Sequence, residues 1–518
     1  MTKQHPIAAG DAMTRLDADR RSRDLLQLQG SGASVDVLVV GGGITGTGVA
    51  LDAASRGLKV ALVERNDLAY GTSRWSSKLI HGGLRYLAKG DVGIAWESAV
   101  ERAAIGSHIA PHLVRPLTQI VLLRKGEDLA RVGTRLGLYA ADALRVAART
   151  EKGLLARSAP VDVEALHELV PALDTDDLSG GVAIADLQME DDARFVTAVA
   201  RTAAGYGARI LTRVDALEVA GDRVRLRDNE TGQDWWLGAT RIVNATGVWA
   251  GELDPNVVLS PSRGTHLVLR SSSLSDASVS LSVPVPESFG RYVFTLPQPD
   301  GLTYVGITDE PVEGPIPEEP SAPEADIEWI LSVLNTALRE PVTRQDVVGT
   351  FAGLRPLVAG SDAASADLSR RHAIVEHDRL ITVTGGKFTA YRRMAQDVVD
   401  LITERPCRTR TLPLVGAGDS PAADLPHRLV RRYGSEAALV WAMGADDPSL
   451  RQPLAPGLPV LGVEVAFAAA WEGAATTSDV LDRRTRLGLV PSDAAAARDA
   501  VDRIVEQWQR GKAYAATG

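Results

Sequence analysis

Residues 35–64 carry the feature that most restricts how this chain can fold. A β-branched strand is followed by Gly41, Gly43 and Gly46, then by an alanine-rich helix and a strand that ends in Glu64. In this spacing the first glycine permits a tight turn, the second admits a pyrophosphate to the backbone and the third allows close helix–strand packing. The helix N-terminus then faces the phosphates, and the acid accepts hydrogen bonds from a ribose diol. The segment predicts a Rossmann-like unit that binds a dinucleotide.

The rest of the chain favours a flavin over a nicotinamide dinucleotide. A nicotinamide-binding domain usually continues with further βα units, whereas this chain enters a long loop rich in serine and glycine. Strand-like sequence returns in RIVNATGVWA, near residue 241, and LITVTGGKFTAYRRMA adds a strand, a glycine turn and a helix start. We interpret segments 35–90, 190–250 and 350–402 as one discontinuous FAD-binding domain of the α/β class.

The other segments are predicted to form three further parts. Residues 1–34 are polar and are predicted to be a mobile N-terminal extension. Residues 91–189 and 251–349 are predicted to form a substrate or cap region with a β-rich insertion, because short runs such as THLVLR and TYVGIT alternate with turns. Residues 410–518 are alanine-rich, which predicts a C-terminal helical domain.

The loop SRWSSKLIHGGLRYLAKG, residues 73–90, concentrates hydrogen-bond donors among serines and glycines. The chain as a whole has a formal net charge of −10, so nothing in its overall charge favours nucleic acid. An anion site therefore has to come from a local group of basic residues. Lys78 and Arg85 in this loop are candidates for such a group.

Composition argues against several other classes of protein. Cys407 is the only cysteine, so no intrachain disulfide can form, and the scattered histidines predict no metal site. The single cysteine fits a reducing cytoplasmic compartment, and the sequence predicts neither a membrane-spanning helix nor a secretory signal, because it contains no run of 18 apolar residues and no signal core. The stretch 127–150 interleaves leucine and valine with arginine, and it fits either a helix packed on the body or a basic amphipathic contact with a membrane surface.

Taken together, these motifs resemble those of the FAD-dependent, quinone-linked glycerol-3-phosphate dehydrogenases, a group of D-amino-acid-oxidase-like and glycine-oxidase-like flavoproteins. The resemblance covers about residues 35–402, and it is carried most specifically by GTSRWSSKLIHGGLRYL, QMEDDARFV, SRGTHLVL, GLRPL and GGKFTAYRRMA. Small departures from the family pattern occur at Gly71, Trp75, Phe388 and Ala390.

The resemblance implies a flavoprotein oxidoreductase of glycerol metabolism with a β-rich substrate domain of the D-amino-acid-oxidase type. Its implied reaction is oxidation of sn-glycerol 3-phosphate to dihydroxyacetone phosphate by hydride transfer to FAD, followed by reoxidation by a membrane quinone. Such an enzyme would be cytoplasmic and peripherally attached to the inner face of the cell membrane. A homodimer is compatible with the resemblance.

The resemblance also implies roles for individual residues. His266 is expected to act as the base that takes the hydroxyl proton, with His81 as an alternative, and Arg355 is expected to steady the developing alkoxide. The substrate phosphate is expected to meet Arg85, Tyr86, Arg355, Arg370 and Lys387. The expected cofactor contacts are Gly41, Gly43, Gly46, Glu64, Thr72, Ser73, Ser77, Lys78, Leu79, Val214, Gly247, Gly386, Lys387 and Phe388.

Two alternatives stay open on sequence grounds. The first is a related flavin oxidase, acting on glycerol 3-phosphate or on an amine substrate such as glycine and passing electrons to O₂. The second is a catalytically silent FAD-binding sensor or scaffold. The combination of Arg85, His266, Arg355 and Lys387 favours an enzyme, because a silent protein has no chemical need for it.

Overall fold

A computed structural model describes residues 7–83, 91–126, 142–151, 153–286, 288, 290–358, 372–418 and 424–515, with side chains to residue 508. The strands are β1 (Ser34–Val40), β2 (Val60–Glu64), β3 (Leu79–Ile80), β4 (Val114–Arg124), β5 (Ala159–Val161), β6 (Leu178–Met189), β7 (Arg209–Thr212), β8 (Val214–Ala220), β9 (Arg223–Asp228), β10 (Asp234–Asn244), β11 (Ser262–Arg270), β12 (Ser280–Pro284), β13 (Tyr292–Pro297), β14 (Leu302–Gly306), β15 (Glu310–Pro311), β16 (Val347–Arg355), β17 (His372–His377) and β18 (Leu380–Gly385). The α-helices are Ala18–Gln29, Ile44–Ser55, Val92–Ala104, Val163–Leu169, Asp192–Gly205, Ala250–Leu253, Glu324–Asn335, Tyr391–Asp400, His427–Tyr433, Ala437–Ala442, Gly462–Trp471 and Pro491–Ala515.

An eight-stranded sheet forms the first layer, and its main path runs β17–β18–β10–β1–β2–β7. β1 lies between β2 and β10 and is parallel to both, and its central residues Val37, Leu38 and Val39 are fully buried. Such continuous burial is typical of a parallel strand that is covered on both faces. The helices Ile44–Ser55 and Tyr391–Asp400 pack closely on each other beside it.

A ten-stranded sheet forms the second part of the molecule, with the path β15–β11–β14–β13–β12–β4–β6–β3. β16 pairs antiparallel with β11 along nearly its whole length, and this pairing places Arg355 opposite Ser262. The helix Glu324–Asn335 covers this sheet with Ile327, Ile330 and Leu334, which join its hydrophobic core. The second sheet is mainly antiparallel, and this helix covers one of its faces.

Helices at the end of the chain form a separate hydrophobic core around Leu429, Val463, Phe467 and Val501. This helical part is held to the part that contains the eight-stranded sheet, the nucleotide-binding half, by buried ion pairs as well as by apolar packing. One of them joins Arg194 and Glu472 through two hydrogen bonds between fully or nearly fully buried side chains.

The structure differs from the predicted segment boundaries in three places. The mobile extension predicted for residues 1–34 is wrong for the helix Ala18–Gln29, because Leu25 and Leu28 are buried and the Arg20 guanidinium donates to backbone carbonyls of the helix Asp192–Gly205 region. β3 and residues 350–355 of β16 belong to the ten-stranded sheet, although the sequence predicts both for the FAD-binding domain. Their partners, β6 and β11, lie far away in sequence.

The sequence predicts no membrane-spanning helix, and it gives contact with a membrane surface as one interpretation of residues 127–150. Within the described residues, no helix has the length and apolar character needed to cross a membrane. The basic amphipathic stretch predicted at 127–150 falls mostly at 127–141, outside the described residues.

Candidate active site

A cavity of about 1660 Å³ is lined by residues from both sheets. Its wall includes the glycine turn after β1, Arg355 and the turn that contains Lys387. The predicted site residues on its wall are Gly41, Gly43, Glu64, Thr72, Ser73, Ser77, Leu79, Val214, Gly247, Arg355, Gly386, Lys387 and Phe388, together with His81, the alternative base. The structure thus brings together residues that are separated by more than three hundred positions in the sequence.

The glycine turn after β1 has no room for side chains at two positions. Gly41 has φ +113°, and a Cβ there would lie 2.5 Å from the Ala245 carbonyl oxygen. A Cβ on Gly46 would lie 1.9 Å from the carbonyl oxygen of Gly41. The close contact between the helix Ile44–Ser55 and the turn therefore requires glycine, and it leaves the start of the helix open to the cavity.

Gly46→Ala is expected to release the predicted flavin dinucleotide from the purified protein, because the added methyl group must displace the backbone that would face its pyrophosphate. The ratio of flavin absorbance to protein absorbance measures this, and we expect it to fall to a small fraction of the wild-type value. Gly30→Ala is a suitable control, since a Cβ at Gly30 has its nearest neighbour at 3.6 Å. Equal flavin content in Gly46→Ala and wild type would contradict the assignment of this turn.

Glu64 ends β2 and lies on the cavity wall beside the glycine turn. Its Oε2 accepts a hydrogen bond of 2.7 Å from the Gly42 amide, and its Oε1 accepts one of 2.8 Å from the Asn66 amide. Burial raises the pKa of Glu64, and the two amides oppose this shift. An oriented carboxylate next to an exposed helix N-terminus fits the ribose and pyrophosphate of a dinucleotide.

The loop between β2 and β3 lines the cavity with Thr72, Ser73 and Ser77. It contains a 3₁₀ turn, Thr72–Trp75, which is held by the Thr72 hydroxyl donating to the Leu354 carbonyl at 2.7 Å. The Ser73 hydroxyl accepts from the Ile44 amide at 2.9 Å and so ties the loop to the glycine turn. These bonds fix the loop along the path that a dinucleotide would follow.

The Lys78 side chain lies behind this loop, in contrast to its predicted contact with the cofactor. Its ammonium donates to Asp192 Oδ2 at 2.7 Å and to the carbonyls of Arg74 and Ser76, both at 3.0 Å. Burial lowers the pKa of Lys78 to about 8, although the Asp192 carboxylate opposes the shift. Because an ammonium buried without a counterion is costly, Lys78 turns inward to Asp192 and supports the loop from below.

Arg355 and Lys387 place two cationic side chains on the cavity wall. Arg355 donates to Ser262 Oγ at 3.0 Å, to Asp309 Oδ1 at 2.9 Å and to the Thr308 carbonyl at 2.9 Å. The Lys387 ammonium donates to Ser98 Oγ at 2.9 Å, and Gly386 and Phe388 line the cavity on either side of it.

His266 is fully buried and lies outside the set of described residues that line the cavity. Its ring stacks on Phe351 with 4.6 Å between centroids, and its Nε2 lies 3.0 Å from the hydroxyl oxygen of Ser77, which does line the cavity. Burial, together with the charges of Lys78 and Arg355, holds the pKa of His266 well below its usual value. The imidazole is therefore neutral near pH 7 and reaches the cavity through Ser77.

Three predicted substrate contacts, Arg85, Tyr86 and Arg370, lie outside the described residues. Sequence reasoning missed Asp309, Asp192 and Ser98, which are the partners of Arg355, Lys78 and Lys387. The only signal for any of them was the acidic pair in QMEDDARFV. An acid in that motif is a reasonable partner for a lysine in a neighbouring loop.

Comparisons with known proteins place the chain in a family. A model of FAD-dependent oxidoreductases matches residues 36–400, and a model described as the C-terminal domain of alpha-glycerophosphate oxidase matches residues 407–513. The fold and the cavity therefore define an FAD-dependent oxidoreductase, and both the predicted fold class and the predicted cofactor are confirmed.

Individual relatives narrow this class. The chain is 50% identical over 496 residues to glycerol-3-phosphate dehydrogenase 1 of Mycobacterium tuberculosis, and the match covers 92% of this chain and 96% of that protein. It is 30% identical to aerobic glycerol-3-phosphate dehydrogenase of Staphylococcus haemolyticus, with 90% and 89% covered. The crystal structure of the glycerol-3-phosphate dehydrogenase from Bacillus halodurans with FAD superimposes with a TM-score of 0.73 at 27% identity, covering 95% of this chain and 94% of that one. The chain belongs to the glycerol-3-phosphate dehydrogenase and oxidase family of FAD enzymes.

Proposed function

We propose that this protein oxidises sn-glycerol 3-phosphate to dihydroxyacetone phosphate and passes the electrons to a membrane quinone. The observation that carries the proposal is the meeting of Arg355, Lys387 and Ser77 in one cavity with the glycine turn, with the buried His266 in contact with Ser77 from behind the wall. When bound, FAD supplies the hydride acceptor. The names of the relatives support the substrate, since those quoted are glycerol-3-phosphate dehydrogenases.

The residues of the cavity divide the remaining work between them. Lys387 offers a mobile positive charge to the substrate phosphate, together with the predicted contacts Arg85, Tyr86 and Arg370. Arg355, on the cavity wall, would donate to the substrate oxygen that becomes a ketone. The substrate hydroxyl gives its proton to Ser77 Oγ while the Ser77 proton moves to Nε2 of His266, which is neutral and can accept it.

Anaerobic mixing of the purified holoenzyme with glycerol 3-phosphate tests the reaction. We expect the flavin absorbance to bleach with glycerol 3-phosphate and to stay unchanged with glycerol or glycine. Bleaching by glycine alone would instead indicate an amino-acid-type oxidase. No bleaching by any member of a panel of phosphorylated and unphosphorylated polyols would support a silent FAD-binding protein.

The electron acceptor is tested separately, because an oxidase of the same substrate would also bleach. We expect the reduced enzyme to reduce a soluble quinone analogue much faster than it forms hydrogen peroxide in air. A high yield of peroxide, with slow reduction of the quinone analogue, would assign O₂ as the acceptor.

We further propose that the protein works at the inner face of the cell membrane, where its quinone acceptor would be found. Sedimentation with anionic liposomes tests this part of the proposal. We expect the holoenzyme to pellet with anionic vesicles at low salt and less with neutral ones. A protein that stays in the supernatant with both kinds of vesicle would contradict peripheral attachment.

His266→Gln is expected to slow anaerobic flavin reduction by about a hundredfold, the lower end of what a positioned base contributes.

The wild-type rate is expected to show no loss from protonation of His266 between pH 5.5 and pH 8, because the pKa of this buried ring lies well below its usual value.

Ser77→Ala distinguishes proton relay through Ser77 from direct contact between His266 and the substrate. It should slow reduction as much as His266→Gln if Ser77 relays the proton, and little if His266 contacts the substrate directly.

A further inference from the structure

The Arg355 guanidinium is held from three sides before any substrate binds. The strand pairing of β16 with β11 places it opposite Ser262, whose hydroxyl accepts a hydrogen bond from Nη1. Nη1 also donates to Asp309, and Nη2 donates to the Thr308 carbonyl. The guanidinium lies over Gly264, where a Cβ would come within 2.4 Å of Nη2. Its orientation is therefore fixed by its neighbours.

Asp309 brings a negative charge to the same cavity wall. Its Oδ1 accepts hydrogen bonds from both Arg355 and the Ser262 hydroxyl, and its side chain is only 12% exposed. Asp309 itself lines the cavity, directly after Thr308. An anion brought to Arg355 would therefore meet a carboxylate as well as a guanidinium, and in a partly buried site this repulsion offsets much of the attraction.

We propose that Asp309 is a positioning and specificity-determining residue of the reaction. It orients Arg355 and offsets its charge, so that the guanidinium receives a neutral hydroxyl or ketone oxygen in preference to a carboxylate or phosphate oxygen. This inference rests on the proposed function, since it assigns the hydroxyl-bearing part of a polyol phosphate to Arg355. The phosphate is then bound by other cations of the wall, of which Lys387 is one.

The pairing of Asp309 with Arg355 also favours binding of a polyol substrate over binding of an amino-acid substrate. An oxidase of amino acids needs a cation that pairs with the substrate carboxylate, and a guanidinium already compensated by Asp309 suits that task poorly. Removing the negative charge of Asp309 should therefore create affinity for small carboxylates. Loosening of the structure alone does not produce such a gain in binding.

The experiment titrates oxidised holoenzyme with acetate and with dihydroxyacetone phosphate, following the change in flavin absorbance. We expect Asp309→Asn to bind acetate at least about tenfold more tightly than wild type, because one like charge is removed from the site. Asp309→Glu keeps the charge and should bind acetate as weakly as wild type. Glu310→Gln is the matched control, because it removes an exposed carboxylate one residue away and should change acetate binding by less than about twofold.

Turnover with glycerol 3-phosphate gives a second readout. We expect kcat of Asp309→Asn to fall by about tenfold to a hundredfold, since the charge-assisted hydrogen bond that helps to orient Arg355 becomes a weaker bond to a neutral amide oxygen. Unchanged acetate affinity in an Asp309→Asn protein that still binds FAD would overturn the inference. The bleaching of the wild-type flavin by glycerol 3-phosphate is independent of this result, so failure of the inference and failure of the proposed function are distinguishable.

Discussion

Arg355→Met is expected to lower kcat/KM for glycerol 3-phosphate by about a thousandfold while the purified protein keeps its FAD. Arg355 is the cation held against the cavity by Ser262, Asp309 and the Thr308 carbonyl. A donor that is oriented before the reaction stabilises developing negative charge without reorganising, and loss of one such donor costs about a hundredfold to a thousandfold. Methionine also leaves the Asp309 carboxylate without this partner, which adds to the loss. Anaerobic stopped-flow measurement of flavin reduction records the effect.

Two variants show whether the loss comes from the chemistry of the site. Arg263→Met removes an arginine of β11, the strand that pairs with β16; the partner of Arg263 is Asp326, and the variant is expected to leave the rate of flavin reduction nearly unchanged. Arg355→Lys keeps the charge but cannot make the same set of hydrogen bonds, so it should recover only a small part of the activity. If Arg355→Met turned over at close to the wild-type rate, Arg355 would have no part in the reaction.

Local rules were sufficient for the nucleotide-binding end of the site. The spacing of Gly41, Gly43 and Gly46 reflects steric limits within a single turn, and the structure shows contacts that leave no room for a Cβ at Gly41 or Gly46. Glu64 follows from the same unit, because the end of β2 lies next to the end of β1 in a parallel sheet. These features depend on about thirty consecutive residues, so they are readable from sequence.

The substrate end depended on partners that no local rule identifies. Lys78 is a donor in a glycine-framed loop, and sequence alone favoured a cofactor contact. The structure instead pairs it with Asp192, which is 114 residues away. His266 was expected on the cavity wall, but its ring is covered by Phe351 of β16 and reaches the cavity through Ser77. Asp309 follows a β-rich run without any motif of its own, and only strand pairing brings it to Arg355.

Asp67→Asn is expected to weaken the attachment of the C-terminal helical part by about 3 kcal/mol, because breaking a buried ion pair from one side strands its charged partner. Asp67 follows β2 in the nucleotide-binding half and is 1% exposed. Its Oδ2 accepts from Arg483 at 2.7 Å and from Arg484 at 2.9 Å, and its Oδ1 accepts a second bond of 2.9 Å from Arg484. In the variant, Arg483 keeps Asp479, but Arg484 loses its carboxylate contact.

Hydrogen–deuterium exchange of the holoenzyme measures this attachment segment by segment. We expect amides in the segment 479–490 to exchange about a hundredfold faster in Asp67→Asn than in wild type, whereas the helix Ile44–Ser55 should change little. Asp499→Asn alters an exposed carboxylate on the helix Pro491–Ala515. It should change the free energy of opening of the segment 479–490 by no more than about 0.5 kcal/mol. Equal protection of 479–490 in wild type and Asp67→Asn would show that apolar packing alone holds this part in place.

The same carboxylate predicts how the attachment depends on pH. Burial by itself would raise the pKa of Asp67, but the charges and hydrogen bonds of Arg484 and Arg483 outweigh it and lower the pKa to about 2. A carboxyl whose pKa is lower in the folded state contributes stability that is complete above its unfolded pKa, near 3.8, and is lost as the pH falls towards 2. This lowering of the Asp67 pKa corresponds to roughly 2 kcal/mol of folding free energy. The difference in exchange between wild type and Asp67→Asn should therefore stay constant from pH 7 to about pH 4.5 and narrow only below that. A difference that already narrowed between pH 7 and pH 5 would mean that a group with a higher pKa controls the attachment.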